Sequence, residues 1–432
     1  MSRPWTLLSL LSILSPLVAA QDEEFNFDAD EFEPKAFEVT GYLEGEPEYA
    51  SANRDGALYQ LQFFGRDPDK EIDRFTGTLE LEGYLRKGIA SLIFQTHSEV
   101  VWDYLGENHD HALYQGYLSL QPDPGFAVDL GKKAMRWGKA YAWNPVAFVE
   151  RAKDAGDPDL SREGYWIFTS DWITRFDGPL QTLALTTVIL PVDGNINRDF
   201  GETGHTNLSA KLYLLYRDID IDFMFLSEGS RSARVGMDFS TNLAPNFEIH
   251  GELAYFNDAI HPVLMDGCKT GKPRVEDEIS YLLGTRYRTN DDVTLVWEYY
   301  FNGLGNEKKD QQAFYRCVHQ AWESGDQDLI NRLPIGKDLD KGPFSRPNPM
   351  RRYMNFRVWW EEPGDLLYLT PGLQVLYSLD DKSFSVSPDV IYSGFENLDL
   401  RLRGTVPVGD SLTEWGEKPN EFKIELRARY YF

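Results

Sequence analysis

The segment from Glu421 to Phe432 (EFKIELRARYYF) alternates strictly between two kinds of side chain. One set is apolar: Phe422, Ile424, Leu426, Ala428, Tyr430 and Phe432. The other set is charged or polar: Lys423, Glu425, Arg427, Arg429 and Tyr431. Because successive side chains of a β-strand point to opposite faces of its sheet, this segment is predicted to be a strand with one apolar and one polar face.

The same period of two continues along the chain from Phe37 onward. It is clearest in 75–86, 207–217, 246–255, 293–301 and 354–361. A period of two that persists through a whole chain predicts an all-β protein, here of about 18 strands. The range is roughly 16 to 20, because 57–65 belongs to the first strand region or forms a separate strand.

The predicted connections between these strands sort by length. Short connections rich in turn-forming residues, such as Lys87-Gly88 and Asn290-Asp291, follow even-numbered strands. The long connections all follow odd-numbered strands: 137–163, 193–205, 257–276, 304–351 and 405–419. A soluble sandwich gives no reason for this sorting. It is typical of a transmembrane, antiparallel, up-and-down β-barrel with short periplasmic turns and long external loops.

The segment Glu421–Phe432 also resembles the closing strand of Gram-negative outer-membrane β-barrels, which ends on Phe and carries the assembly signal. The resemblance implies a location in the cell outer membrane and recognition by the barrel assembly machinery through Phe432. It further implies contact with outer-membrane lipid and lipopolysaccharide. A homotrimer, which many porins form, is left open because the sequence shows no interface signature.

The N-terminal residues are predicted to precede the barrel, which spans 37–432. Residues 1–20 have a positive charge at Arg3, an apolar run and a small-residue cleavage site, so they predict a secretory signal peptide. Residues 21–36 are strongly acidic and do not alternate, so they predict a disordered periplasmic tail. No comparable apolar run follows, and no membrane helix is expected in the mature chain.

Composition narrows the class of partner. The chain has 69 acidic and 43 basic residues, which argues against nucleic acid because nucleic-acid binding needs a basic surface. It contains no G-x-S-x-G, H-E-x-x-H or C-x-x-C-H motif. We therefore expect no enzymatic activity, no cofactor and no metal.

The side chains predicted to face the lumen form two groups of opposite charge. The acidic group lies on middle strands: Asp220, Asp222, Asp238, Glu248, Glu252 and Glu298. The basic group lies mostly on late strands: Arg286, Arg288, Arg357, Arg401, Arg403, Lys423, Arg427 and Arg429. The last five of these are expected to form one basic wall that sets pore selectivity. The alternative is that the arginines pair with neighbours such as Asp399 and Glu425 and only stiffen the wall.

The stretch Gly131–Gly164 is rich in cations although the whole protein is acidic. Its R-W-G turn and N-P dipeptide resemble a pattern in uncharacterised and alginate-export-like outer-membrane porins. The resemblance implies a constriction loop over 137–163 that folds against the lumen and favours anionic or carboxylated solutes. Its candidate residues are Arg136, Trp137, Lys139, Asn144, Pro145, Arg151 and Arg162. The alternative is an external loop whose aromatic side chains lie in the lipid interface.

The connection 304–351 is too long for a plain loop and is predicted to be a helical lid. Helical spacing within 309–334 indicates one or two short helices. Cys268 and Cys317 are predicted to form a disulfide that pins this lid over the mouth, as suits an exported chain. Two free thiols are the alternative.

These features together predict an outer-membrane channel for passive diffusion of small hydrophilic solutes, anionic ones included. One alternative is an export pore for an acidic polysaccharide, which a basic wall would also suit. The others are a membrane-embedded hydrolase and a structural barrel with a plugged lumen.

Overall fold

The computed structural model describes residues 35–66, 71–104, 106–265, 268–335 and 342–432. The predicted signal peptide and almost all of the predicted tail lie outside the described residues. The strands, in chain order, are β1 (Phe37–Ala52), β2 (Glu71–Lys87), β3 (Ala90–Asp103), β4 (Gly106–Asp123), β5 (Phe126–Lys133), β6 (Tyr165–Arg175), β7 (Leu180–Val192), β8 (His205–Tyr216), β9 (Ile219–Leu226), β10 (Arg234–Ala244), β11 (Phe247–His261), β12 (Leu264–Met265), β13 (Lys269–Thr270), β14 (Arg274–Arg288), β15 (Val293–Phe301), β16 (Arg352–Trp360), β17 (Leu369–Ser378), β18 (Ser383–Phe395), β19 (Leu398–Val408) and β20 (Asn420–Tyr431). The α-helices are α1 (Ala57–Gln62), α2 (Lys308–Ser324) and α3 (Gln327–Arg332), and Pro363–Asp365 forms one 3₁₀ turn.

Eighteen of these strands form one antiparallel sheet that closes on itself, while β12 and β13 form a separate hairpin. Each barrel strand pairs with its neighbour in the sequence of barrel strands, and β20 returns to pair with β1. Leu43 lies opposite Tyr430, and Tyr49 lies opposite Ile424. The predicted all-β, 18-stranded, up-and-down barrel is therefore confirmed.

The segment 57–65 is not a strand. Residues Ala57 to Gln62 form α1, which leaves β1 at Ala52 and does not join the sheet. Ala57, Tyr59 and Leu61 are buried there, against the other helices and neighbouring loops. The sequence pattern is too short to separate a two-residue period from a single helical turn.

The outer wall of the barrel is apolar. Large side chains on the outward face are exposed on strand after strand, for example Leu130 at 60% and Trp172 at 61%. Exposed apolar patches of this extent are not found on monomeric soluble proteins. An outward apolar band around a closed barrel is the arrangement by which such a barrel spans a lipid bilayer.

None of the helices in the described part of the chain has the length and apolar character needed to cross a membrane.

The connections differ between the two ends of the barrel. Turns at one end are short, such as 88–89, 124–125 and 217–218, whereas the other end carries the long connections 53–70, 134–164, 302–351 and 409–419. The sorting by length seen in the sequence is thus present in the structure. We refer to the two ends as the short-turn end and the long-loop end.

The helices pack together at the long-loop end and form what we call the lid. One buried cluster contains Ala57 of α1, Cys268 and apolar residues of α2 and α3. Its members on α2 and α3 are Phe314, Tyr315, Cys317, Val318, Ala321, Leu329 and Ile330. The α2 helix ends at Gly325, whose left-handed conformation (φ 65°) lets its N–H reach the carbonyl of Trp322. Cys268 and Cys317 form the predicted disulfide.

Loss of this disulfide is expected to loosen the lid without opening the barrel. The two cysteines are 49 residues apart, and a cross-link closing a loop of that size stabilises by ~4 kcal/mol on the chain-entropy model. Cys268→Ser with Cys317→Ser should therefore speed protease cleavage within 302–351 of the folded protein. Cleavage at the unchanged 193–204 connection serves as the control. Equal cleavage rates with and without the disulfide would contradict the prediction.

Candidate functional site

The connection from β5 to β6, residues 134–164, crosses the inside of the barrel, and we call it the lumen loop. It contacts strands on all sides of the ring. Lys139 reaches Asp222 on β9, Ala142 reaches Glu298 on β15, and Asp157 reaches Arg427 on β20. A segment can touch β9, β15 and β20 of a closed barrel only from within it. The lumen loop therefore lies inside the barrel.

Two buried carboxylates hold one side of the lumen loop through its backbone. Glu252 on β11 accepts hydrogen bonds from the N–H groups of Lys139 (2.7 Å) and Ala140 (2.8 Å). Glu298 on β15 accepts from the N–H groups of Tyr141 (2.6 Å) and Ala142 (2.9 Å). These four amides belong to consecutive residues that have no strand or helix partners. The carboxylates supply the acceptors that the buried backbone needs.

A group of arginines holds the other side. Asp157 accepts from Arg401 at 3.2 Å and from Arg427 at 3.0 Å, while Arg403 donates to the carbonyl of Gly156 at 2.6 Å. Burial raises the pKa of Asp157, but these guanidinium groups outweigh it and hold the pKa below its usual range. The lumen loop is thus fixed by acidic side chains of β11 and β15 and by basic side chains of β19 and β20.

Apolar packing fills the space between the lumen loop and part of the wall. Trp137, Val146 and Phe148 join a buried cluster with inward-facing side chains of β6 to β11: Ile167, Val188, Leu190, Met224, Leu226, Ala254 and Phe256. Trp143 stacks on Tyr300 with ring centroids 5.3 Å apart. The alternative in which these tryptophans lie in the lipid interface is wrong, because Trp137 is only 2% exposed and packs inside the barrel.

The space that remains beside the lumen loop is a cavity of about 440 Å³. Its wall includes Gln95 on β3 and Gln115 on β4. Six cationic side chains line it, namely Arg136, Lys139, Arg151, Lys153, Arg162 and Arg357, against three acidic ones, Glu150, Asp159 and Glu163. In a protein with a net charge of −26, this excess of cations distinguishes the lining of the cavity from the chain as a whole. We call it the cationic cavity.

Its cations differ in how fully they are neutralised. Arg136 is exposed and has no ion pair with any residue that the structure describes. The ammonium of Lys153 donates to the carbonyl of Ala140 at 2.7 Å and meets no carboxylate within ion-pair distance in the described part of the chain. Among the described residues, Arg357 forms an ion pair only with Asp159, at 3.6 Å. These three cations are therefore the least neutralised of the six.

Glu150 contributes to the same cavity from within the lumen loop. Its carboxylate accepts from the backbone N–H of Trp137 and from Arg162 at 3.0 Å. Burial raises the pKa of Glu150 to about 7, against the opposing effects of that N–H and of Arg162. Near neutral pH the negative charge of Glu150 is therefore only partly present, which leaves the cavity more positive than a simple count of residues gives.

The remaining residues of the predicted basic wall are already paired. Arg401 also contacts Asp389 at 3.1 Å, Arg429 contacts Glu44 at 2.6 Å, and Lys423 contacts Glu425 at 2.7 Å. Of the two partners that the sequence suggested, Glu425 pairs with Lys423, whereas the arginines contact Asp157, Asp389 and glutamates of β1 and not Asp399. These side chains cross-link β1, β19, β20 and the lumen loop.

The predicted acidic residues do not line an open pore wall. Asp222, Glu252 and Glu298 are at most 3% exposed and lie beneath the lumen loop, so they bind the loop and do not face a solute. Asp220 accepts from Tyr213, and Glu248 accepts from Tyr141. Their burial follows from the docking of the loop, which strand alternation does not reveal.

Four further predicted residues lie apart from the cationic cavity or only touch it. Arg288 is exposed near the short-turn end and pairs with Asp292 and Glu361. Arg286 faces inward on β14 beside Tyr141. Asn144 lines the cavity and donates to the carbonyl of Trp137 at 3.0 Å, and Pro145 continues the loop beside it.

The sequence pattern did not identify the inner-wall residues that pack against the lumen loop. Met224 and Leu226 on β9, and Val188 and Leu190 on β7, face inward and are buried. Both strands end in runs that are apolar on both faces, FMFL at 223–226 and VILPV at 188–192. A continuous apolar run indicates a strand covered on both sides, so these runs were the available signal for a loop docked inside.

A histidine joins the lid to the β19–β20 connection. His319 on α2 lies 2.8 Å from Gln60 of α1 and 3.1 Å from the buried carboxylate of Glu417. Glu417 also accepts from the backbone N–H groups of Ala57 and Leu412. The hydrogen bond with Glu417 raises the pKa of His319 even though burial opposes it.

The lid is therefore expected to be more stable in acid. The ion pair contributes fully below pH ~6.5, the usual pKa of histidine, and its contribution falls as the pH rises through the raised pKa. For a half-buried pair we expect a loss of about 1 kcal/mol. Amide hydrogen-exchange protection of α2, corrected for intrinsic rates, should fall between pH 6 and pH 9. His319→Gln should remove this dependence and His205→Gln should keep it. Equal pH dependence in both variants would refute the pairing.

Comparison with known proteins places the fold. No protein-family model and no curated protein matches the chain. Among solved structures it is similar to OprD of Pseudomonas aeruginosa, at 10% identity and TM-score 0.52, over 93% of this chain and 97% of that one. It is also similar to OccK5 (OpdH) of the same species, at 9% identity and TM-score 0.51, over 91% of this chain and 98% of that one. A third similar structure is OccAB1 of Acinetobacter baumannii, at 11% identity and TM-score 0.50, over 91% of this chain and 96% of that one.

The chain has the fold of the Gram-negative outer-membrane porins. The predicted resemblance is confirmed at the level of the fold. The apolar outer wall is that of a barrel that spans a lipid bilayer. Identities near 10% carry the fold alone.

Proposed function

We propose that this protein is an outer-membrane channel for passive diffusion of small hydrophilic solutes, with a preference for those bearing a carboxylate or another anionic group. The observation that carries the proposal is the lumen loop, fixed to both walls and leaving the cationic cavity beside it. The fold shared with OprD supports the channel. The excess of cations in the cavity supports the preference for anions.

The size of the cavity sets the scale of the solute. A volume of about 440 Å³ falls within the range of pockets that hold small organic molecules. Gln95, Gln115 and Ser161 add neutral polar groups to its wall. Exposed Arg136 and the lightly paired Arg357 would attract an anion, and the polar groups would replace part of its hydration shell.

The proposal includes the surroundings of the barrel. The long-loop end would face the outside and the short turns the periplasm, as in outer-membrane barrels generally. The outer wall would contact lipid and lipopolysaccharide, and Phe432 would serve the barrel assembly machinery. A homotrimer is tested by chemical cross-linking of the detergent-solubilised protein. We propose no enzymatic step.

Single-channel recording in planar bilayers tests the function directly. The refolded protein should give discrete conductance steps, and the reversal potential under a KCl gradient should show that chloride is more permeant than potassium. Folded protein that produces no steps would contradict the channel. Steps with a preference for potassium would keep the channel and contradict the proposed preference for anions.

A further inference from the structure

Asp238 on β10 is a buried acid that the docking of the lumen loop leaves without a partner. Its side chain is 0% exposed, and neither of its carboxylate oxygens has a hydrogen-bond partner among the described residues. An unpartnered polar atom in the interior costs free energy, and an unpaired charge there costs more. Some proton or cation must therefore be associated with this group.

Asp238 lies in a row of acids on three adjacent strands. In the sheet register it is directly opposite Asp222 on β9 and Glu252 on β11. Side chains in such positions share one face, with Cβ atoms ~4.5–5.5 Å apart. The Oδ1 atom of Asp222, which is 1% exposed, also lacks a hydrogen-bond partner in the described part of the chain. Two neighbouring buried carboxylates therefore each have a free oxygen.

The two lysines nearest the pair contact Asp222 and not Asp238. Lys139 lies 3.0 Å from Oδ2 of Asp222, and Lys211 lies 3.7 Å from its Oδ1. From the lumen loop, Lys153 donates to the backbone carbonyl of Ala140. The remaining two groups are Tyr213 on β8, whose hydroxyl donates to Asp220, and Glu252, which accepts from the lumen loop. Within the described residues, no cation lies within ion-pair distance of Asp238.

We propose that Asp238 holds a proton at neutral pH and donates it in a hydrogen bond to Oδ1 of Asp222, so that the two acids form one proton-binding site. One proton removes the repulsion between two adjacent buried carboxylates. It also gives a partner to one oxygen of each side chain. A metal ion would need space and several further oxygen ligands, and neither cavity beside the lumen loop is lined by Asp222 or Asp238.

The proton-binding site has a consequence for the lumen loop. Asp222 holds the side chain of Lys139, and the backbone N–H of the same residue docks on Glu252. Release of the proton to solvent in alkali would place two negative charges side by side beneath this anchor. The anchor would then weaken. This consequence for conduction rests on the proposed channel function, whereas the protonation itself does not.

Infrared spectroscopy of the folded protein tests the protonation. Asp238→Asn places a neutral group in the same volume, and its amide can donate to Asp222 in the same way. At pH 7 the difference spectrum between wild type and Asp238→Asn should show the loss of one carbonyl band of a protonated carboxylic acid. Asp171→Asn is the matched control, because this inward-facing acid on β6 already accepts from Thr186 at 2.5 Å and should keep the band.

The outcomes are distinct. The proposal is overturned if the spectrum of Asp238→Asn retains every protonated-carboxyl band. If the midpoint of thermal unfolding also falls when sodium is replaced by choline, a metal ion is assigned in place of the proton. In bilayers, wild-type conductance should change in one alkaline step that Asp238→Asn lacks, with equal conductance at pH 7. If wild type and Asp238→Asn show equal alkaline steps in conductance, the proposed effect of the proton on the lumen loop is wrong. If no variant conducts, the channel function fails while the infrared result still stands.

Discussion

Removing the two carboxylate anchors should release the lumen loop and raise single-channel conductance several-fold. In Glu252→Ala with Glu298→Ala, the N–H groups of Lys139, Ala140, Tyr141 and Ala142 lose their acceptors. A buried donor left unsatisfied costs about 1–3 kcal/mol, and the N–H groups of Ala140 and Ala142 are buried, so the docked position of the loop should become unfavourable. The expected structure is an intact barrel with a wider lumen, because the backbone pairing of β11 and β15 with their neighbours does not depend on these side chains.

Glu202→Ala with Glu228→Ala provides the matched control for this experiment. It removes the same charge from exposed positions at the long-loop end. Its conductance should equal that of the wild type. Protease accessibility within 134–164 gives a second measurement, and it should rise only in the anchor variant. Unchanged conductance together with an unchanged digestion pattern would show that the lumen loop is held by its apolar cluster and not by the carboxylates.

Reversing the charge of Arg136 should shift ion selectivity more than any other single substitution in the cationic cavity. Arg136 is exposed there and has no ion pair among the described residues, so Arg136→Glu changes the field without breaking a contact. The ratio of chloride to potassium permeability, measured from the reversal potential, should fall several-fold. Because exposed charges are screened within a Debye length of ~10 Å at 0.1 M salt, the shift should be larger in dilute salt.

Two comparisons make this test specific. Lys87→Glu reverses a charge at an exposed short turn and should leave the permeability ratio near that of the wild type. Arg401→Glu with Arg427→Glu is expected to act differently, because both arginines bind Asp157 and their reversal should expel the lumen loop and raise conductance. A permeability ratio unmoved by Arg136→Glu would remove the cationic cavity from the permeation path.

Much of the barrel was predictable from the sequence because the physics of a strand is local. Alternation assigned Leu426 to the lipid and Arg427 to the lumen without knowledge of any neighbour, and the structure agrees at both positions. The lengths of the connections distinguished the short-turn end of the barrel from the long-loop end. Local pattern failed at α1, where six residues are too few to distinguish one turn of helix from a strand.

The candidate site was predictable only as a set of residues. Glu252 and Glu298 were recognisable as inward-facing acids, but their role as acceptors for Lys139 and Ala142 requires that the lumen loop cross the barrel. Arg427 was recognisable as an inward-facing base, but its contact with Asp157 joins residues 270 positions apart. No spacing rule relates such positions, because the contact depends on the closure of the sheet and the path of the loop.

The sequence by itself determined that this chain forms an amphipathic barrel of about 18 strands, with one long-loop end and a cation-rich segment after β5. Periodicity, turn chemistry and charge are properties of neighbouring residues, so a single chain displays them. Only the tertiary structure decided which charges are free. Most of the predicted basic wall pairs with Asp157, Asp389 and glutamates of β1, and the buried acids Glu252 and Glu298 bind the loop backbone. Arg136 is left without an ion pair among the described residues. That outcome follows from burial and partner distance, which exist only once the barrel has closed around the loop.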